Sequence, residues 1–323
     1  RILNCARRLK GRGGVKGRFA PTPSGRMHLG NLFSALLAWL DARSQGGSMV
    51  FRVEDLDPER CTLDRARQAA DDLIWLGLDW DEGGVEPNYC QSRRSQHYEA
   101  AFRTLEEQGL VYPCYCSRAQ RLAASAPHRS DGSVVYSGRC AHLTAEERAA
   151  LEAQGRRPAW RVRVPEERVT VNDLHMGPYT ENLCRDCGDF ILRRSDGVWA
   201  YQLAVVVDDA LMGVTQVVRG ADLLPSAPRQ AWLHRTLGYE PPEFAHVPLL
   251  TASDGRRLAK RDRDLDVGVL RQRYTAEQLA GYLACWAGLL DRPEPVRPRE
   301  LVEEFSWKRV PREDIRLDGM KFT

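Results

Sequence analysis

The 323-residue sequence has no apolar run approaching the roughly 18 residues of a membrane span, and no secretory signal pattern opens it. Its nine cysteines are odd in number and unevenly spread, unlike the disulfide framework of a small secreted domain. Internal repeats are absent from the sequence as well. These absences argue against a membrane partner and against a disulfide scaffold. We therefore expect a cytoplasmic protein with reduced thiols.

Acidic residues are absent from the first 18 positions, which hold seven basic residues. That leaves 40 of the 47 basic residues to balance all 44 acidic ones in the rest of the chain, so the net charge of +3 comes from the N-terminal segment. Any nucleic acid must then be bound by local basic patches, because the body itself is mildly acidic. Residues 1–17 are expected to form a basic flexible segment.

Extended apolar runs alternate with helical segments in the first hundred residues. Met49 to Val53 is predicted to be a strand, and helices are predicted from about Asn31 to Arg43, Asp64 to Leu76 and Arg93 to Gln108. This alternation favours an α/β fold in which helices cover a parallel sheet. The first helix has a core-facing side with 3.6-residue periodicity, formed by Leu32, Leu36, Leu37 and Leu40.

The character of the sequence changes at Cys114, where alanine- and arginine-rich pieces, a Pro/Ser/Gly loop and a helix at Thr144 to Gln154 follow. This change indicates an insertion that splits the α/β core. Two runs, Leu203 to Val207 and Gln216 to Val218, are predicted to resume strand structure. Beyond Leu265 the sequence is helical, notably over Ala276 to Leu290.

Residues Arg18 to Asn31 (RFAPTPSGRMHLGN) end an extended segment with Pro/Gly turns and then begin a helix near Gly30. The first N–H groups of such a helix and the His28 side chain would face an anion such as a nucleotide phosphate. Gly25 and Gly30 allow a ligand to approach the backbone closely. Taken alone, the segment is equally compatible with an ordinary turn.

A second segment, Gly255 to Arg261 (GRRLAKR), is a turn followed by a cluster of cations, which alone would be a solvated basic loop. Two further motifs lie between these segments, Phe51 to Asp57 (FRVEDLD) and Tyr201 to Asp209, the latter followed by VRGAD at Val218 to Asp222. Together the motifs resemble the class I aminoacyl-tRNA synthetases, whose His-x-Gly-His and Lys-Met-Ser-Lys-Ser signatures correspond to HLGN and RLAKR here. The set is similar to glutamyl-tRNA synthetases, and most similar to their shortened relatives, which glutamylate queuosine in tRNA(Asp).

The resemblance implies a Rossmann-like nucleotide-binding core that is split by a zinc-binding insertion and followed by a short helical region. Only 63 residues follow Lys260, so no anticodon-binding domain is expected. The implied division is 1–17 for the N-terminal segment, 18–110 and 191–264 for the two halves of the core, 111–190 for the insertion, and 265–323 for the C-terminal region.

The activity implied by the resemblance is ATP-dependent activation of L-glutamate and its transfer to the cyclopentenediol of queuosine in the anticodon of tRNA(Asp). The shortened family activates glutamate without tRNA, whereas the longer enzymes require tRNA for this step. Mg²⁺ would accompany ATP, and a monomer is expected. One alternative is a truncated or discriminating glutamyl-tRNA synthetase catalytic domain. Another is a non-catalytic RNA- or nucleotide-binding module, favoured by Arg257 and Ala259, which depart from the usual second signature.

The resemblance assigns His28 and Lys260 to catalysis, and His28, Gly30, Asn31 and Lys260 to ATP binding. Arginines such as Arg18 and Arg219 can bind a carboxylate through two parallel hydrogen bonds, and Glu54 can pair with an ammonium. Without the resemblance, Glu54 with its neighbouring acidic residues would equally suggest a metal site or a helix start. The implied glutamate pocket consists of Arg18, Phe19, Ala20, Pro21, Thr22, Glu54, Tyr201 and Arg219. Candidate phosphate contacts to the anticodon stem-loop are Arg256, Arg257, Arg261, Arg263, Arg271 and Arg273, which can also form a solvated charged face.

A structural Zn²⁺, one per chain, is implied by the family pattern of ligands at Cys114, Cys116, Tyr136 and Cys140. His142 offers a more ordinary nitrogen ligand and remains an alternative to Tyr136. Cys184 and Cys187 form a Cys-x-x-Cys pair that is incidental, redox-active, or part of a four-thiolate site with Cys114 and Cys116.

Overall fold

The structure is a computed structural model that describes residues 14–116, 135–136, 138–252 and 266–317. A parallel sheet at its centre has the order β1-β2-β3. These strands are β1 (Lys16–Phe19), β2 (Ser48–Phe51) and β3 (Glu82–Gly83). A second parallel pair, β9 (Gln216–Gly220) and β10 (Glu243–Val247), lies beside β1, because the Thr215 N–H donates to the Lys16 carbonyl at 3.0 Å. The predicted α/β architecture with a parallel sheet is thus confirmed.

Helices α1 (Leu29–Ser44), α2 (Leu63–Leu76) and α3 (Ser95–Glu107) confirm the three helices expected in the first hundred residues. The predicted leucine face of α1 is completely buried, and each such leucine contributes about 1.5–3 kcal/mol of hydrophobic free energy. Helix α2 begins where the Thr62 hydroxyl accepts the Arg65 N–H at 3.3 Å. It ends at Gly77, whose φ of +90° suits glycine.

The prediction of a strand at Leu203 to Val207 is wrong, because these residues lie in helix α5 (Tyr201–Leu211). All five residues are fully buried, and a continuous apolar run does not distinguish a buried helix from a buried strand. The helix is surrounded by core on several sides, so its periodicity is hidden. The next strand prediction, Gln216 to Val218, is confirmed by β9.

Between α3 and α5 the chain forms small antiparallel sheets in place of the parallel one. Strands β4 (Val111–Cys114), β5 (Ala159–Val162) and β8 (Phe190–Arg193) pair in the order β4-β5-β8. Strands β6 (Arg168–Asp173) and β7 (Gly177–Asn182) form a hairpin, and helix α4 (Ala145–Ala153) is capped reciprocally by Thr144 and Glu147. The hairpin contacts the core, since the Leu174 N–H donates to the Phe244 carbonyl at 2.8 Å.

The remaining elements lie around β10 and beyond it. Helix α6 (Ala227–Thr236) precedes β10, and the chain continues through β11 (Leu250–Thr251), α7 (Val267–Arg273), α8 (Ala276–Trp286) and β12 (Ile315–Arg316). Strand β12 pairs with β11, and Trp307 donates its indole N–H to Asp41 of α1 at 2.9 Å. These contacts join the last part of the described chain to the same hydrophobic core as α1. Within the described ranges, no helix combines the length and the apolar character needed to cross a bilayer.

Candidate active site

A cavity of about 790 Å³ opens at the carboxyl ends of β1, β2 and β9, the edge at which parallel α/β sheets bind ligands. The structure brings to this one cavity the residues predicted for two ligands, glutamate and ATP. The first set is Arg18, Phe19, Ala20, Pro21, Thr22, Glu54, Tyr201 and Arg219, and the second is His28, Gly30 and Asn31. Lys260 lies outside the described residues.

Arg219 is a buried cation whose hydrogen bonds within the described chain all go to neutral groups. Its Nε donates to His246 Nε2 at 3.0 Å, and one terminal nitrogen donates to Gln230 Oε1 at 2.8 Å and to Tyr201 Oη at 3.4 Å. The other terminal nitrogen donates to the Leu223 carbonyl at 3.3 Å. Burial, together with the charge of Arg18, lowers the pKa of Arg219. A carboxylate entering the cavity would supply the missing counter-charge.

The other buried charges of the pocket form one chain of ion pairs. Arg52 is fully buried and donates to Asp209 Oδ1 at 2.7 Å and to Glu54 Oε1 at 3.1 Å. Arg18 lies 3.4 Å from the same Asp209 oxygen and donates to the Val218 carbonyl at 3.4 Å. With Arg219 included, three buried arginines lie near two carboxylates, Asp209 and Glu54; a third carboxylate, Asp173, is separated from Arg219 by His246.

Burial raises the pKa of Glu54, although Arg52 and Arg18 act in the opposite direction. For Asp209 burial is outweighed by Arg52 and Arg18, which lower the pKa of this carboxyl. Asp209 is therefore the firmly ionised partner of both arginines. Glu54 borders the cavity and would be stabilised as a carboxylate by a ligand ammonium group.

On the other side of the cavity, the HLGN motif begins helix α1. His28 is the N-cap residue, and its backbone N–H donates to Asn31 Oδ1 at 2.9 Å. A Cβ at Gly30 would lie only 3.2 Å from the His28 ring, so a larger residue would displace the imidazole. The first turn of α1 contains no acidic residue that would compete with an anion, although the Asn31 N–H already donates to the His28 carbonyl at 2.9 Å.

The chain returns to His28 directly after the second signature segment. Asp266, six residues beyond Lys260, pairs with His28 in an antiparallel bridge, and the Val267 N–H donates to the Met27 carbonyl at 3.0 Å. Arg26 bonds Asp72 of α2 at 2.9 Å and lies against Gly268, where a Cβ would meet the guanidinium. These contacts tie the turn before α1 to the start of α7.

Arg271 does not fit the predicted role of a phosphate contact. Its guanidinium lies 2.5 Å from Asp71 and 2.8 Å from Asp72, and it stacks over Trp75 at 5.1 Å. Two carboxylates already neutralise the charge, so Arg271 joins α7 to α2 instead. Arg273 is exposed at the end of α7. Outside the described residues lie Arg256, Arg257, Arg261 and Arg263.

Cys114, Cys116 and Cys140 form a cluster whose sulfur atoms all lie within 4.8 Å of one another, a group that can hold a metal ion. The Tyr136 hydroxyl is 3.3 Å from Cys114 Sγ and 3.6 Å from Cys116 Sγ. The Arg161 guanidinium lies 3.7 Å from the centre of the Tyr136 ring, where it can offset negative charge on the ligands. Three thiols and one phenol thus converge on one point.

The other candidate ligands are absent from this cluster within the described part of the chain. His142 ends the short helix Arg139–His142 and is not among the clustered donors. Cys184 is exposed, and Cys187 is buried with its thiol directed to the Gly188 carbonyl at 3.2 Å. The described residues therefore do not form the four-thiolate arrangement. Gly188 packs closely against Tyr136. A Cβ at this position would lie only 3.0 Å from the tyrosine backbone.

Several residues that shape the pocket were not identified from the sequence. Arg52 and Asp209 lie within two of the motifs described above. The only sequence signals for them were the position of Arg52 near Glu54 and the position of Asp209 at the end of an apolar run. His246 and Asp173 belong to no motif, and only the structure shows them behind Arg219.

Comparisons with known proteins agree with this arrangement. The family of class I tRNA synthetases (E and Q), catalytic domain, matches residues 14–284. The chain is 52% identical over 309 residues to the glutamyl-Q tRNA(Asp) synthetase of Symbiobacterium thermophilum, with 93% of this chain and 95% of that protein covered. It is 48% identical over 302 residues to the glutamyl-Q tRNA(Asp) synthetase of Nocardia farcinica, with 93% and 92% covered.

Solved structures of longer enzymes share the fold. Glutamate-tRNA synthetase from Elizabethkingia anophelis superposes with a TM-score of 0.80 at 27% identity, covering 94% of this chain and 68% of that one. A glutamate tRNA ligase from Elizabethkingia meningosepticum in complex with its amino acid gives a TM-score of 0.79 at 27% identity, covering 94% and 66%. The chain thus spans about two thirds of these structures. It belongs to the class I tRNA synthetases of the E and Q group, and within that group to the family of glutamyl-Q tRNA(Asp) synthetases.

Proposed function

We propose that this protein is a ligase that activates L-glutamate with ATP in the absence of tRNA and transfers it to the cyclopentenediol of queuosine in the anticodon of tRNA(Asp). The observation that carries the proposal is Arg219, a buried cation that lines the cavity and bonds only neutral groups of the described chain. Free glutamate carries two carboxylates and one ammonium and has a net charge of −1. The names of the relatives support the acceptor, queuosine in tRNA(Asp).

Glutamate would bind with its side-chain carboxylate toward Arg18 and Arg219 and its ammonium toward Glu54. Tyr201 supplies an apolar wall and a hydroxyl, and the backbone of Phe19 to Thr22 closes the remaining side. Both arginines lie at the ends of neighbouring strands, which keeps their separation fixed. Glutamine would present a neutral amide to this buried positive charge and should be rejected.

In the reaction, the α-carboxylate attacks the α-phosphorus of ATP, forming glutamyl-adenylate and releasing pyrophosphate with its Mg²⁺. A queuosine hydroxyl then attacks the glutamyl carbonyl carbon, loses its proton and releases AMP. His28, Gly30 and Asn31 are proposed to bind the phosphates at the start of α1, and Lys260 to stabilise the departing pyrophosphate. The transition state carries spread negative charge, so positioning and cations matter more than a nucleophilic side chain.

The cysteine cluster is proposed to hold a structural Zn²⁺ with Cys114, Cys116, Tyr136 and Cys140 as its four ligands. Thiolates are strong zinc ligands, and a closed four-ligand site is typical of a structural role. The position of the Tyr136 hydroxyl between two sulfur atoms supports tyrosine over His142. This site would fix the insertion, residues 111–190, between the two halves of the core, 18–110 and 191–264.

We also propose that the enzyme acts as a monomer in the cytoplasm, where its proposed substrates ATP and tRNA are found. The proposed C-terminal helical region is 265–323, which contains α7 and α8. A glutamyl-tRNA synthetase catalytic domain is the second candidate, favoured by the likeness to two glutamate-tRNA ligases.

The test is ATP–pyrophosphate exchange with glutamate in the absence of RNA, followed by labelling of purified tRNA with radioactive glutamate. We expect exchange without tRNA, and labelling of tRNA(Asp) only when it carries queuosine. The matched control is tRNA(Asp) from cells unable to make queuosine. Labelling of tRNA(Glu), or exchange that requires tRNA(Glu), would favour the second candidate. Absence of both activities would favour a non-catalytic binding module.

A further inference from the structure

His246 connects the pocket arginine to a carboxylate in the β6–β7 hairpin. It lies in β10, is fully buried, and accepts the Arg219 Nε–H at 3.0 Å on its Nε2 atom. Its other ring nitrogen, Nδ1, is 2.5 Å from Asp173 Oδ2, at the end of β6. Arg219, His246 and Asp173 thus form a continuous chain of side chains from the cavity into the hairpin.

The proton positions in this chain follow from its chemistry. Arginine Nε always carries a hydrogen, so the facing His246 Nε2 must be an acceptor without one. The single proton of the neutral ring therefore lies on Nδ1 and is donated to Asp173. Burial, reinforced by the charge of Arg219, lowers the pKa of His246, which keeps the ring neutral.

Asp173 cannot rotate to change this pattern. Its Oδ1 atom accepts three backbone N–H groups, from His175 at 3.0 Å, Met176 at 2.8 Å and His246 at 3.2 Å. Burial alone would raise the pKa of this carboxyl, but the hydrogen bond from the His246 side chain and those from the backbone lower it. Asp173 is therefore a fixed acceptor.

We propose that Asp173 and His246 are positioning residues that hold the Arg219 guanidinium in the orientation that binds the substrate carboxylate. The inference rests on the proposed function and deepens it. With Nε bonded to His246 and the terminal nitrogens to Gln230 and Leu223, all three guanidinium nitrogens are held. A carboxylate in direct contact with Arg219 would orient it equally well but would neutralise it. The interposed neutral imidazole orients the cation and leaves its charge for the substrate.

Asp173→Asn is the most direct test. The introduced amide can keep the Oδ1 contacts to the backbone, while its N–H₂ group faces His246 Nδ1 and favours the other imidazole tautomer. A hydrogen on Nε2 then opposes the Arg219 Nε–H. In serine proteases, the same Asp→Asn exchange behind the catalytic histidine stabilises the wrong imidazole tautomer. We expect the KM for glutamate in pyrophosphate exchange to rise at least tenfold, with the KM for ATP nearly unchanged.

Two substitutions of His246 separate its two hydrogen bonds. His246→Gln places an acceptor at the former Nε2 position and should retain a KM for glutamate near that of wild type. His246→Asn keeps a donor toward Asp173 but loses the acceptor for Arg219, and should raise this KM at least tenfold. In the Asp173→Asn background, His246→Gln should restore glutamate binding, because glutamine has no tautomer to be fixed.

Asp189→Asn is the matched control. Asp189 also accepts a side-chain hydrogen bond, from Tyr112 at 2.6 Å, and a backbone one, from Val164 at 2.9 Å, but lies outside the chain to Arg219. Its KM for glutamate should equal that of wild type. An active, folded Asp173→Asn with an unchanged KM for glutamate would overturn the positioning role alone. If that variant fails to fold, equal values for His246→Gln and His246→Asn would overturn it. A wild-type protein without glutamate-dependent exchange would instead refute the proposed function.

Discussion

Two buried arginines in the pocket have different surroundings, and the difference predicts different consequences for stability. Arg52 has no exposed surface and bonds two carboxylates, those of Asp209 and Glu54. Arg219 is 5% exposed, yet its hydrogen bonds within the described chain are all with neutral groups. Replacing either arginine by methionine removes the charge and keeps an apolar side chain of moderate length.

Arg52→Met leaves Asp209 and Glu54 buried without the cation that they share. Removing one partner of a buried ion pair costs about 3–5 kcal/mol, a large part of the roughly 5–15 kcal/mol that stabilises a typical protein. Arg219→Met removes a cation that no carboxylate of the described chain contacts directly, but it leaves the acceptor atoms of His246 and Gln230 buried without this donor. We expect it to lower the unfolding free energy by about 1–3 kcal/mol, less than Arg52→Met.

Arg219→Met should also weaken glutamate binding. Four of the five Arg219 N–H groups already bond the protein, so the substrate carboxylate would take the fifth. A charge-assisted hydrogen bond is worth about 1.5–3 kcal/mol, and its loss raises the KM for glutamate about 10- to 10²-fold. Urea unfolding without ligand measures the unfolding free energy of each variant, and pyrophosphate exchange at saturating ATP measures its KM for glutamate. The reasoning is refuted if Arg219→Met is destabilised as strongly as Arg52→Met, or if its KM for glutamate changes by less than about threefold.

Three further outcomes are expected. Tyr136→Phe and Cys140→Ser should lower the zinc content of the purified protein and its melting temperature, whereas His142→Ala and Cys184→Ser should leave both unchanged in metal analysis and thermal unfolding. Gly30→Ala should raise the KM for ATP but not for glutamate, because its Cβ would displace the His28 ring; an unchanged KM for ATP would argue against His28 as a phosphate contact. Burial raises the pKa of Asp41 to about 6 from 3.8, so the folded state resists ionisation and loses stability as pH rises between these values. Asp41→Asn should then be more stable than wild type at pH 8 by up to about 3 kcal/mol, with the gain vanishing near pH 4 in urea unfolding.

Much of the fold could be predicted because local signals agreed with the tertiary structure. The leucine spacing in α1 and the Thr62 and Gly77 boundaries of α2 are visible in the sequence and match the observed helices closely. Helix α5 could not be predicted in this way, because the LAVVV run is buried on all sides and has no polar face to reveal a period. The only polar residues of the helix after this run are two aspartates, and the structure shows why they are there: Asp208 forms an ion pair with Arg94, and Asp209 forms one with Arg52.

The residues that line the cavity were more predictable than the residues behind them. Arg18, Glu54 and Arg219 stand in motifs with a recognisable order, and the structure brings them to one cavity. Asp173 and His246 act through Arg219 from separate elements, 73 positions apart in the chain. Neither has a spacing or composition that links it to Arg219. Such pairs are defined by the packing of β6 on β10, which no local pattern encodes.

The supporting residues give a physical reason why glutamate activation would not need tRNA. Arg18 and Arg52 contact Asp209, and Arg219 donates to His246, Gln230 and the Leu223 carbonyl. Side chains that the protein itself holds in this way need less binding energy to order them when a substrate binds. Arg219 would gain a carboxylate partner when glutamate enters, so amino acid binding itself would relieve the cost of burying this cation. A tRNA that contacted this protein would then find the amino acid already in place, and its role would be limited to presenting the acceptor hydroxyl.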